Sequence, residues 1–176
     1  MENIMNGAIK SKSLLPRKLE TGQEGIDILK VLDSHLRPVT HWNDMVLPSF
    51  RISEAIINSI YSARRAGRLI RGFEDSEKKL NAEREGIASI DLKTGSERKE
   101  RISRLIIIAN DGSERFYRQA KRLVEQNRPR VLAIHLDITS FELGERLFGP
   151  GKRVLFLLIN HKDAVIDFLT SLVKNH

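Results

Sequence analysis

RLIIIANDGSERFYRQAKRLV, residues 104–124, is a solid apolar run that breaks at a polar turn and returns with helical spacing. It reads as strand, turn, helix. Leu105, Ile106, Ile107, Ile108 and Ala109 are consecutive and mostly β-branched, which suits a strand buried on both faces in the middle of a sheet. Asn110 to Ser113 form the turn, where Asp111 with Glu114 three residues on resembles a capping pair at a helix start. Phe116, Ala120, Leu123 and Val124 then share one face, with Arg115, Arg118, Lys121 and Arg122 elsewhere. The rest of the chain must supply neighbouring strands and helices to cover this strand.

Outward from this centre, the same grammar repeats. Val131 to Leu136 (VLAIHL) and Val154 to Ile159 (VLFLLI) are further buried strands, and Arg68 to Arg71 (RLIR) is a short one. The spacing predicts helices over Arg51–Ala66, ended by Gly67, over about Phe73–Glu85, over Ser140–Leu147 and over a closing segment carrying Ala164, Val165, Phe168, Leu169 and Leu172. The pairs Glu74/Lys78 and Asp75/Lys79 support the second of these. Alternation of this kind predicts an α/β fold: a three-layer α-β-α sandwich with a roughly four-stranded mixed sheet and a partly helical N-terminal extension. The expected division is an arm and short helix over 1–49 and an α/β domain over 50–176, with residues 86–101 as an insertion, either a hairpin turning at Thr94 and Gly95 or a mobile loop. Within the arm, Met1 to about Gly22 shows no periodicity, Glu24 to Leu36 suits a short helix, and Trp42 reads as a packing anchor.

The chain of 176 residues is 40% apolar, enough for one real core, and carries a formal charge of +7. That excess lies after residue 50: the first 50 residues hold equal numbers of acids and bases. A basic folded domain points to a polyanionic partner, nucleic acid before an acidic membrane surface, with solubility as the plain alternative. Without cysteine there is no disulfide, thiolate catalysis or cysteine-ligated metal. No apolar run reaches the ~20 residues of a membrane span and the N-terminus lacks a signal-type apolar block, so a cytoplasmic location is expected, with no membrane partner.

Enzyme motifs are sparse. Asp111 follows a strand, where open α/β sheets place catalytic groups, yet capping accounts for it. His135 sits inside an apolar strand and reads as buried and hydrogen-bonded. His161, Asp163 and Asp167 could be set together as metal ligands, but a helix start explains them more simply. The GPGKR loop, 149–153, precedes a strand and lacks the spacing of a phosphate-binding loop. No cofactor or metal site is assigned.

Three segments carry a resemblance: Ala63 to Leu80 (ARRAGRLIRGFEDSEKKL), Leu105 to Glu114 (LIIIANDGSE) and Phe141 to Ile159 (FELGERLFGPGKRVLFLLI). In that order they resemble the kink-turn RNA-binding superfamily, which includes ribosomal and small-nucleolar RNP proteins, YlxQ-like proteins and the third domain of pelota-type factors. The resemblance spans roughly Ser53 to Leu172. It implies that a glycine-led segment, here Gly72 to Lys78, contacts paired guanines, and that the loop before the last strand covers an extruded base. Gly72 and Lys78 match the family pattern, Asp75 is a shortened acid, and Glu74 stands where the family carries an amide.

The physics of that segment stands beside the resemblance. Backbone N–H groups at a helix start favour anions, and between Glu54 and Glu74 there is no acidic residue, while arginines crowd the segment. The expected interface is Arg68, Arg71, Gly72, Glu74, Asp75 and Lys78, joined by Lys152 and Arg153 if the glycine loop abuts the helix start. The expectation is a non-enzymatic protein that binds structured RNA, possibly rRNA, in a ribosome or RNP, with protein partners met through the N-terminal arm. Two alternatives stand beside it: the substrate-binding half of an RNA-modifying or nucleotide-using enzyme, and a protein-interaction module.

Overall fold

The computed structural model of the chain describes residues 14–39, 45–95 and 101–174. In chain order the elements are α1 (Arg17–Glu20), α2 (Gln23–Ser34), β1 (Leu36–Pro38), β2 (Val46–Phe50), α3 (Glu54–Arg65), β3 (Leu69–Arg71), α4 (Phe73–Thr94), β4 (Arg104–Ile108), α5 (Glu114–Gln126), β5 (Val131–Leu136), α6 (Ser140–Phe148), β6 (Phe156–Ile159) and α7 (Lys162–Val173). The α/β sandwich expected from the sequence is what forms.

The strands make one mixed six-stranded sheet in the order β1-β2-β5-β4-β6-β3. At its centre, β4 runs parallel to β5, with Ile106 opposite Ala133, and antiparallel to β6, with Ile106 opposite Leu158. Leu105 to Ala109, Leu132 to Ile134 and Leu157 to Ile159 are fully enclosed. Strands with no wet face need cover on both sides. On one face α4 and α5 lie side by side, Phe73 meeting Phe116 edge-on with ring centroids 6.5 Å apart, and Arg84 reaching the Gln126 carbonyl at 3.5 Å. On the other, α2 and α3 pack against α7. Ser113, Thr139 and His161 cap α5, α6 and α7 through their own side chains.

Two expectations change. The sheet does not stop at four strands, and packing does not break at residue 49. Leu15, Leu19, Ile28, Leu32, Met45 and Leu47 all join the single core, and β2 pairs with β5 through Ser49 and Phe50. Burial of these apolar side chains, worth about 1.5–3 kcal/mol each, makes residues 14–39 and 45–49 part of the body. Of the expected arm, residues 1–13 lie outside the described residues, as do His41 and Trp42. Residues 86–94 are neither hairpin nor loop: α4 runs straight through Gly86 to Thr94, and Gly95, left-handed at φ 62°, ends it by donating to the Asp91 carbonyl at 2.9 Å. The remainder of the expected insertion, 96–100, is outside the described residues.

His135 is enclosed as expected, 7% exposed, with Nδ1 2.7 Å from Ser49 Oγ across the β5–β2 pair. Burial holds its imidazole below the ordinary 6.5, opposed by the Asp137 charge. The folded protein therefore resists protonation here while the unfolded chain does not. This contribution to stability is complete above about pH 6.5 and drains away as pH falls toward the depressed folded value. The loss of urea stability between about pH 7.5 and pH 5 should be smaller in His135→Asn than in the native protein. Equal losses would show that this ring is not the sensor.

Candidate nucleic-acid interface

The end of the sheet where β4 and β5 finish is built from two turns that meet. At the first, β3 ends at Arg71 and the chain swings into α4 through Gly72, whose φ of 94° is in the region open to glycine. Its N–H donates to the Phe156 carbonyl at 2.8 Å, and its own carbonyl accepts from Ser76 Oγ at 2.7 Å. No side chain caps α4. Glu74 and Asp75 occupy its exposed first turn, where their charge suits the positive end of the helix. Lys78 stands on the same face as Glu74, one turn on.

At the second turn, α6 ends at Phe148 and the GPGKR loop leads toward β6. Gly149 and Gly151 hold φ of 103° and 75°. Gly149 N–H donates to the Glu145 carbonyl at 3.1 Å, and Gly151 N–H to Glu145 Oε1 at 3.3 Å. The loop lies hard against α6 because Gly144 has no side chain. A Cβ there would sit 2.7 Å from Arg153 Cα and closer still to the Lys152 carbonyl. Val154 N–H completes the seat on the Ser140 carbonyl at 2.9 Å.

Arg71 joins the two turns. Its Nη2 donates to the Arg153 carbonyl at 2.7 Å, and its guanidinium lies over the Phe148 ring at 4.7 Å. Arg64, from the end of α3, approaches the same ring at 5.0 Å. Such contacts hold guanidinium groups in place without consuming their charge. Lys78, Lys152 and Arg153 are exposed and have no ion pair among the described residues. The result is a fixed cationic corner beside carboxylate acceptors. Phosphate oxygens match the former, and base N–H groups match the latter.

Of the expected residues, Arg71, Gly72, Lys152 and Arg153 are brought together by direct contacts, with Glu74, Asp75 and Lys78 on the adjoining turns of α4. Arg68 is not among them. It lies at the opposite end of β3, its carbonyl accepting from Asn160 N–H at 3.0 Å and its charge acting on Asp163. In a strand, three residues carry the chain about 10 Å, so neighbours in sequence fall at opposite ends of the sheet. Arg64 was passed over, although it stands in the same arginine run. Phe73 is no stacking surface, since its ring packs edge-on against Phe156 at 5.3 Å.

Residues weighed for chemistry have other duties. Asp111 caps, but not its own helix: Oδ1 accepts from Ser140 N–H at 2.8 Å and Oδ2 from Ser140 Oγ at 2.9 Å, so it secures the start of α6, while Ser113 caps α5. Tyr117 locks the turn between, donating to the Ala109 carbonyl at 2.7 Å and accepting from Gly112 N–H at 3.1 Å; burial raises its pKa. His161 Nδ1 accepts from Asp163 N–H at 3.1 Å. Asp163 pairs with Lys18, and that hydrogen bond is the leading cause of its lowered pKa.

Gly144→Ala should force the loop off α6 and cost about 1–3 kcal/mol, as overpacking does, lowering the thermal midpoint. A midpoint equal to the native one would mean that the loop is not seated by this contact.

No protein-family model matches the sequence, and no curated protein matches it. Among solved structures the chain is similar to the Giardia lamblia 15.5kD RNA binding protein, at 14% identity and a TM-score of 0.45, with 69% of this chain and 83% of that one covered. Nothing about function carries over at that distance.

Proposed function

We propose that the protein binds structured RNA, without catalysing a reaction on it, as a component of a ribosome or other ribonucleoprotein in the cytoplasm. One observation carries the reading: the Arg71 guanidinium, fixed between the Arg153 carbonyl and the Phe148 ring, stands beside a helix start with no side-chain cap. A cation immobilised in this way keeps its charge and loses its freedom, which is what recognition of a shaped polyanion requires. Lys78, Lys152 and Arg153 extend the positive surface, and Glu74 and Asp75 supply acceptors for exposed base edges. Gly72 lets the backbone come close, having open space where a side chain would be. The overall charge of +7 adds the long-range attraction.

The test is binding of a kink-containing RNA duplex by fluorescence anisotropy. Arg71→Ala combined with Lys78→Ala should weaken the complex by about tenfold or more, the loss of charge-assisted contacts. Melting should stay within a few degrees of the native protein, as expected for exposed positions. Unchanged affinity would remove the site.

A further inference from the structure

Positive charge gathers again at the far end of the sheet, where β4 and β5 begin. The N–H groups of Ser103 and Arg104 both point to the Arg130 carbonyl, at 2.9 and 3.2 Å, which draws the two strand starts together. Arg101 reaches from there to the N-terminal segment, donating to the Leu15 carbonyl at 3.2 Å and to Glu20 at 3.0 Å. Arg17, Lys18, Arg68, Arg84, Arg128 and Lys162 close in around them. Among the described residues the carboxylates here, Glu20, Glu83, Asp91 and Asp163, are fewer than the cations, and Asp91 lines the smaller cavity beside Arg128. Glu83 alone serves Arg130 at 2.7 Å, Arg104 at 3.1 Å and Lys79 at 3.9 Å, and Asp163 serves Lys18 at 3.3 Å. Among the described residues Arg17, Arg128 and Lys162 have no ion pair.

These cations line a recess and not a flat face. A cavity of about 210 Å³ opens under the second half of α4 between Arg84, Arg128 and Arg130. A larger one of about 630 Å³ lies between Arg17, Arg101 and Lys162. Ile87 and Arg130 line both, so the two adjoin. In the wall behind it, Arg128 Nε and Arg130 Nη2 are buried and meet no acceptor among the described residues. The Arg84, Arg128 and Arg130 side chains line the recess, and a ligand rich in acceptor oxygens matches guanidinium forks. A chain of phosphates supplies such acceptors, and α4 joins this end of the sheet to the Arg71 corner, since Gly72 and Ile87 are about 22 Å apart along a straight helix.

We propose that the recess at the start of β4 and β5 is a second phosphate site, which takes the sugar–phosphate backbone of the RNA gripped at the Arg71 corner; the inference rests on the RNA reading given above. The test combines Arg17→Gln, Arg84→Gln and Lys162→Gln, all exposed positions, in the full chain. The probe is a kink-containing duplex whose stems extend past the first site, titrated across a range of KCl concentrations, with melting as the folding control. The triple variant should bind about tenfold more weakly at fixed salt, and its log–log salt slope should fall by about two to three, three phosphate contacts at roughly 0.7–0.9 each. A triple variant with native affinity and slope, while Arg71→Ala with Lys78→Ala still weakens binding, overturns the second site and leaves the RNA reading standing. A native protein that retains no RNA at low salt removes the RNA reading and this inference together. Native RNA binding by the triple variant, with loss of a polyglutamate probe that the native protein retains, overturns it in favour of an acidic protein partner.

Discussion

A strand that is buried on both faces cannot carry charge, and that constraint organises this molecule. β4 is enclosed from Leu105 onward, between a parallel neighbour and an antiparallel one, and β5 and β6 share its fate. Ionised groups in such a sheet would face a desolvation penalty of several kcal/mol, so the charge is displaced to where the strands end. One end receives Arg71, Lys152 and Arg153, and the other receives Arg101, Arg104 and Arg130. The two basic regions are consequences of one apolar core.

The corner around Arg71 depends on glycine more than on any charged residue. Gly72 permits the turn that starts α4, and Gly144 lets the 149–153 loop press onto α6. Only then does the Arg153 carbonyl come within 2.7 Å of the Arg71 guanidinium. Asp111 belongs to the same scaffold, since it secures the start of α6 and with it the helix that carries the loop. Both of its carboxylate oxygens are engaged with Ser140.

What the sequence revealed and what it hid divide along physical lines. The runs at 105–109, 131–136 and 156–159 are apolar without interruption, and nothing but a buried strand satisfies them. β2 was hidden by Pro48, which lowers the expectation of a strand; it is tolerated because β2 meets β5 only at Ser49 and Phe50. The second half of α4 was hidden because Gly86 looks like a break and its exposed residues follow no clear apolar stripe. At the candidate interface, Gly72 and the loop cations were legible because their order along the chain is informative. Arg68 was misplaced because three residues of extended chain separate it from Arg71. The far cations were illegible altogether, since Arg84 and Arg128, like Arg17 and Lys162, share a cavity only through topology.

The unbroken course of α4 makes it a gauge. A helix is stiff along its axis, with about 1.5 Å per residue, so the interval between its two ends is set by residue count and not by what arrives there. A length change of one residue within α4 would rotate everything beyond it by about 100°, so the two ends would lose their common facing before they lost their spacing.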